Sequence, residues 1–290
     1  MTGNNLVAPH ASGDRDSGAP DTAFQVIVAI YSGALLAGLA TIAATLTGAV
    51  PAGSPLLGAL TTTYAVGFVI GTVAGVALSS VDPHLPRRLG RTPLRRLALV
   101  APAVFFVGVW LAPLEATVDV VAVWSTIAVL ATGYVLSQLA GNRYVDTVTP
   151  GDPEETWRWD PPGSVRLDAA LFALYAVLGA GNAASGNWLQ ALVWLTVGAA
   201  WIANSLAEGR WSFGPRRTRC EVQFYDAGLV KRRPYTRSFV PWDEITHARL
   251  RDGELVLDRG LRDVRFDRDE LEDPEAVLEA VDRRLARNRS

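Results

Sequence analysis

Cysteine is nearly missing from this sequence of 290 residues: Cys220 is the only one, so no disulfide can form within the chain. Histidine occurs three times, at His10, His84 and His247, too far apart to give the spacing of a zinc site. Lysine occurs once, at Lys231, and every other basic side chain is arginine. Charge is missing from long stretches of the first two thirds of the chain, where no Asp, Glu, Lys, Arg or His lies near the middle of an apolar run. Such buried ionisable groups usually mark an ion path or proton relay, and the polar residues at that depth are instead Thr41, Thr45, Tyr64, Ser125, Thr132, Tyr134 and Gln138. Hydroxyls there can bond to their own helix carbonyls and require no pathway.

What is present divides near Glu208. Upstream lie six apolar runs of about the 20 residues that cross a bilayer. They are Thr22 to Val50, Pro55 to Ser80, Leu97 to Leu114, Val120 to Ala140, Leu167 to Gly181 and Trp188 to Ala207. The first is too long for a signal peptide and five similar runs succeed it, so it reads as a retained span. The third carries Pro102, which removes a backbone donor and predicts a kink. The fifth is short, which leaves open a tilted or partly buried hairpin with the sixth. Residues 1–21 are polar, lack apolar periodicity and read as a disordered tail.

Arginines at the span ends set an expected orientation, since each one carried to mid-membrane costs roughly 2.5–3.5 kcal/mol. Arg87, Arg88, Arg91, Arg95 and Arg96 crowd the loop between the second and third spans, and Arg210, Arg216, Arg217 and Arg219 come after the sixth. The loops Pro51 to Ser54 and Asn182 to Asn187 have no charge, and the one between the third and fourth spans has only Glu115 and Asp119. The expectation is a multi-pass protein of the cell membrane with both termini cytoplasmic. Gly67, Gly71 and Gly75 form a ladder of small residues on one helix face, and Ala40, Ala44 and Gly48 form another. Such ladders serve an oligomer interface or, more commonly, packing within one bundle. The loop from Asn142 to Ser164 holds Trp157, Arg158, Trp159 and Asp160, and reads either as an irregular surface loop or as a segment docked on the polar half of the chain.

Downstream of Glu208 the apolar period becomes two. Cys220, Val222 and Phe224 alternate with Glu221 and Gln223, and Asp226-Ala227-Gly228 marks a turn. Strands then cover Leu229 to Arg232, Tyr235 to Val240 and Thr246 to Arg251, and Asp252-Gly253 predicts a hairpin into Glu254 to Leu257. Val264 and Phe266 lie on one face of a last strand. A closing helix has Asp273 as its cap, Pro274 in its first turn, and Val277, Leu278, Val281 and Leu285 on one side. About six antiparallel strands and a helix predict a small, partly open barrel or roll over 208–290.

Within it, the stretches DAGLV, FVPWDEI and DGELVLD, between Phe224 and Leu285, resemble the pleckstrin-homology-like (PH-like) domains that many prokaryotic membrane proteins carry beside their spans. The resemblance implies that Trp242 to Ile245 enters a strand from a turn, with the indole packed on the barrel. It transfers no catalytic or binding residue, and the six-span half, 22–207, resembles no family.

Chemistry is thinly represented. Asp168, Glu115 and Asp119 are isolated acids at span ends, Cys220 begins a strand, and His247 reads as an exposed strand residue beside Arg249. These do not make a nucleophile with its base or a paired-carboxylate site, so no catalytic, cofactor-binding or metal residue is assigned. From Asp243 onward the domain is acid-rich and lacks a basic stripe with interleaved aromatics, which argues against nucleic acid. The edge nearest the bilayer is basic and Trp211 and Phe213 could reach the headgroups, so the expected partners are the bilayer, and a protein or anionic lipid at the cytosolic domain, with a homo-oligomer left open. The resulting expectation is a non-catalytic interaction, scaffolding or regulatory protein. Its alternative is a small-solute transporter or channel with a regulatory domain.

Overall fold

The computed structural model describes residues 22–49, 56–82, 84–160, 165–210, 220–251, 253–260 and 263–289. The tail over 1–21, the loop Pro51 to Ser54, and Trp211, Phe213, Arg216, Arg217 and Arg219 lie outside the described residues.

Helices α1 (Thr22–Leu46) and α2 (Leu56–Val81) form an antiparallel hairpin. The glycine ladder decides how closely they approach: Gly67 sits on Ala37, Gly71 on Ser32 and Gly33, and Gly75 on Val28 and Ala29. The ladder is thus occupied within the chain, while Ala40 and Ala44 are only partly covered and Gly48 is exposed. Thr41, Thr45 and Thr132 each donate to the carbonyl four residues back, at 2.8, 2.8 and 2.6 Å.

The third apolar run is broken. Short helices α3 (Leu85–Gly90) and α4 (Pro93–Ala98) lead to α5 (Pro102–Leu111), and a turn over Leu99 to Ala101 separates α4 from α5. Pro102 has no N–H to continue α4, so it opens a new helix, where a missing donor costs nothing. Helix α6 (Ala116–Val148) runs antiparallel beside these pieces: Gly90 packs on Ala140, Leu99 on Gly133, and Phe106 shares a core with Val118 and Ala122. Helix α1 joins two clusters along α6: Ile42 shares the core of Phe106, Val118 and Ala122, and Phe24 and Val28 share another with Leu99, Leu136 and Ala140. Helices α7 (Val165–Ala184) and α8 (Trp188–Ala207) make a second hairpin, in which Gly179 meets Leu195 and Tyr175 stacks on Trp194 at 6.3 Å. Five of these helices (α1, α2, α6, α7 and α8) are long and apolar enough to cross a membrane, and α5 is a shorter apolar helix. At 33 residues α6 is about 50 Å long, well beyond a hydrocarbon core of about 30 Å, so its C-terminal turns project past the bundle.

The described β structure forms two antiparallel sheets. The first has the order β1 (Glu155–Trp159), β2 (Cys220–Tyr225), β3 (Gly228–Arg232), β4 (Arg237–Pro241), and the second β5 (His247–Arg251), β6 (Glu254–Asp258), β7 (Val264–Asp267). Strand β1 comes from the long loop after α6 and pairs with β2 across Trp157 and Val222, and Trp159 and Cys220. The sheet region therefore draws one strand from upstream of residue 208, and the α7–α8 hairpin is inserted between two neighbouring strands. On its other edge β1 meets the segment after β7: Asp160 N donates to Glu270 O at 2.8 Å and Glu272 N to Arg158 O at 3.2 Å. Alternation sends Trp159, Val222, Phe224, Leu229 and Val240 of one sheet, and Leu255, Leu257 and Phe266 of the other, into one core. Helix α9 (Pro274–Arg289) adds Val277, Val281 and Leu285 to it, and Asp273 caps that helix by accepting from Ala276 N at 2.9 Å.

Candidate functional site

The polar groups that the fold converges most densely lie where the helices meet the first sheet. Tyr134, Gln138, Asn142 and Asp146 recur every fourth residue along α6 and so form one stripe that runs with it out of the bundle. Tyr134 donates its hydroxyl to Asn204 Oδ1 of α8 at 2.6 Å. Two turns on, Asn142 grips the turn between β3 and β4: its Nδ2 donates to Tyr235 O and its Oδ1 accepts from Arg237 N, both at 2.8 Å. One turn further, Asp146 pairs with the Arg237 guanidinium. A carboxamide that satisfies both backbone groups of a turn fixes position as well as distance.

A second chain of contacts starts in the α7–α8 hairpin. Asp168, in the first turn of α7, is 1% exposed; it accepts from Trp201 Nε1 at 3.2 Å and lies 3.5 Å from the Arg210 guanidinium. Glu208 then bridges Arg210 and Arg233, the latter at 3.8 Å. Arg233 lies just past β3 and stands 5.2 Å from the ring of Trp159 on β1. Asp168 is therefore no isolated acid, and its bond to Trp201 ties α7 to α8.

The second chain ends at an aromatic cluster in the sheet region. Lys231 faces the core from β3, opposite Val222, with its Nζ 3.9 Å from the centre of the Phe266 ring and 5.1 Å from that of Trp159. Burial lowers its pKa to about 8; Arg233 pushes the same way and Glu270 opposes. Trp159 packs edge-on against Phe266 at 5.6 Å and donates its Nε1 to Glu270 at 3.2 Å. Burial raises the Glu270 carboxyl above its ordinary value, partly offset by that bond.

The residues weighed for catalysis are spread apart. Glu115 and Asp119 open α6, at the end away from the sheets, and His247 lies exposed on β5. Cys220 is buried at the start of β2, where desolvation pushes its thiol up to about 11 and keeps it protonated and unreactive. Among the described residues no group of three or more His, Cys, Asp or Glu is placed to hold a metal ion. The arrangement is suited to holding and transmitting position between helices and sheet. Asn142, Asp146, Asn204 and Glu208 were not singled out from sequence for this role; the signal for the first two was the four-residue spacing that carries on beyond Ala140, where the fourth span was expected to end. Comparisons with protein-family models, curated proteins and solved structures find no match to this chain.

Proposed function

We propose that this chain is a non-catalytic protein of the cell membrane whose cytosolic PH-like domain works as an interaction or regulatory module tied mechanically to its spans. The observation that carries this reading is the place of β1: it lies between α6 and α7 in the chain and beside β2 in the sheet. A displacement of the α7–α8 hairpin thereby acts on two adjacent strands, and a partner bound to the sheets acts back on the hairpin. Two antiparallel sheets around one core with a helix packed on it support the PH-like assignment. The run of α4 and α5 along α6 supports a sixth crossing made of two pieces. The arginine-rich α3 packs on Ala140 and Tyr144, next to the Asn142 clamp on β4, and this supports placing both termini in the cytoplasm.

A second reading, a small-solute transporter or channel regulated by the domain, draws on the break at Pro102, because discontinuous helices line the sites of many transporters. Native mass spectrometry of the intact protein, gently extracted from its own membrane, separates the two. A stoichiometric protein or retained anionic lipid is expected for the interaction module. A bare chain that also drives solute uptake into vesicles, with uptake surviving removal of residues 208–290, would replace that reading with transport.

A further inference from the structure

The end of the α7–α8 hairpin away from the sheets carries polar side chains that its turn does not use. Backbone bonds alone close that turn: Gly186 N donates to Ala183 O at 3.0 Å and Asn187 N to Asn182 O at 2.9 Å. Gly186 takes the left-handed conformation, at φ +78°, that ends many helices in this way. Asn187 stands at the head of α8, yet its carboxamide makes no capping bond. Asn187, Gln190 and Trp194 succeed one another at intervals of three and four, so they share one face of α8. With Asn182 and Trp188 they line an open cavity of about 670 Å³, within the range of small-molecule sites.

The lining selects its ligand by what it lacks and by what it offers. No Asp, Glu, Lys, Arg or His occurs between Asp168 and Glu208, so a charged ligand finds no counter-charge in this part of the hairpin. Asn182 commits its Nδ2 to Leu178 O at 2.9 Å and so presents its carbonyl oxygen, which accepts from a hydroxyl and repels an anion. The Asn187 and Gln190 carboxamides, without hydrogen-bond partners among the described residues, add donors and acceptors together. A hydroxyl both donates and accepts, so a polyol meets the whole mixture, where an anion meets only its donors. Trp194 is stacked on Tyr175, with 15° between the ring planes, and Trp188 is 71% exposed. An indole face bears the negative side of its quadrupole and attracts the weakly positive C–H groups of a sugar ring. Because Tyr175 takes one face of Trp194, the two indoles fall short of the aromatic cage that a quaternary ammonium needs.

The geometry points to this cavity as a binding site for a neutral saccharide, with the C–H face of a sugar ring on indole and its hydroxyls shared among Asn182, Asn187 and Gln190. The sugar is the headgroup of a glycolipid or part of a free glycan, and the two present the same chemistry to the cavity. Val177 and Leu195, exposed on neighbouring turns of the hairpin, offer apolar surface to the acyl chains of the first. The cavity lies at the opposite end of the hairpin from Asp168 and Arg210, and so away from the contacts that tie the helices to the sheets. The inference is therefore independent of the interaction-module reading.

The test uses the full chain in phosphatidylcholine nanodiscs that hold equal minor shares of diglucosyl diacylglycerol and phosphatidylglycerol, with the lipid that stays on the released protein read by native mass spectrometry. The parent should retain the sugar lipid in preference to both phospholipids. Asn187→Leu with Gln190→Leu removes two hydrogen-bonding groups and should lower that retention at least about tenfold. Trp188→Leu should lower it as well, whereas Trp124→Leu, which removes an exposed indole from α6, should behave like the parent. All these variants should keep the parent's thermal transition. Free maltose in excess separates the sources while upholding the site: displacement of the sugar lipid shows that a saccharide alone suffices, and undiminished retention shows that the acyl chains are required. The proposal is overturned if the sugar lipid is retained no better than phosphatidylcholine, or if phosphatidylglycerol is retained equally. It is also overturned if Trp124→Leu loses as much as Trp188→Leu, which would make Trp188 a general interfacial anchor. None of these failures touches the sheets, so each leaves the module reading standing.

Discussion

Lys231 shows how one residue can carry a pH dependence. Its position on β3 faces inward, two residues after Leu229, so the alternation that puts Leu229 in the core puts an ammonium there as well. Two aromatic faces and Glu270 partly offset the loss of water, yet the group remains easier to deprotonate folded, at about 8, than at its ordinary 10.5. Between those values the unfolded chain binds more protons, so this group makes stability rise as pH climbs from about 8 to about 10.5. Thermal denaturation of the parent across that range should show the rise, and Lys231→Met should flatten it while stabilising the protein most below pH 8. An unchanged slope in the variant would show that Lys231 is not its source. Trp242 has a simpler task. It is 3% exposed, packs edge-on against Phe224 at 5.2 Å, and donates its Nε1 to Tyr225 O at 2.8 Å. Truncating such a residue typically costs about 3–5 kcal/mol, a large share of a small domain's stability, so Trp242→Ala should abolish the cooperative melting of the sheet region in calorimetry.

At the level of elements, what the sequence made legible tracks the strength of local periodicity. Strands β2 to β7 and the capped α9 stand where alternation and turn residues put them, and α8 has the expected bounds because its apolar run is bordered by Asn187 and Glu208. Strand β1 was hidden. Its five residues, Glu-Thr-Trp-Arg-Trp, lie between two spans, and only its pairing partners, 65 or so residues on, reveal it as part of a sheet. This gives a direct test. Residues 208–290 produced alone leave the β2 edge bare beside Cys220, Val222 and Phe224, and unpaired edges aggregate. Joining residues 153–160 through a short Gly-Ser linker to residue 219 onward should restore soluble, cooperatively melting protein; equal solubility of both would show that β1 is dispensable. The glycine ladder was legible as a ladder, but its partner was not, because apolar stripes name no mate. Since an added side chain at Gly71 would run into the Ser32 carbonyl, Gly71→Val should pry α1 from α2 and lower the melting temperature of the purified protein, whereas Gly108→Val, in open space, should not.

At the scale of the whole molecule, contacts and charge bear on the proposed orientation of the protein. Gly90 lies against Ala140 and Tyr144, and Asn142 between those two holds the β3–β4 turn, so the arginine-rich segment from Arg87 to Arg96 and the sheets share one end of the bundle. The α7–α8 turn, with Ser185 and Gly186 and no charge, lies at the far end of its hairpin from Asp168 and Arg210. Carrying five arginines through the bilayer would cost roughly 2.5–3.5 kcal/mol each, which is the ground for the proposed cytoplasmic placement of the sheet-bearing end. The sparse thiol content allows a clean check, because Cys220 is buried and held protonated and should stay silent toward maleimides in the folded protein. A membrane-impermeant maleimide added to intact cells should label Ser185→Cys and leave Arg87→Cys and Arg283→Cys untouched until the membrane is permeabilised. Labelling of the latter two in intact cells would reverse the orientation. Labelling of Arg87→Cys and Arg283→Cys on opposite sides would break the link that the Asn142 clamp makes between the bundle and the sheets.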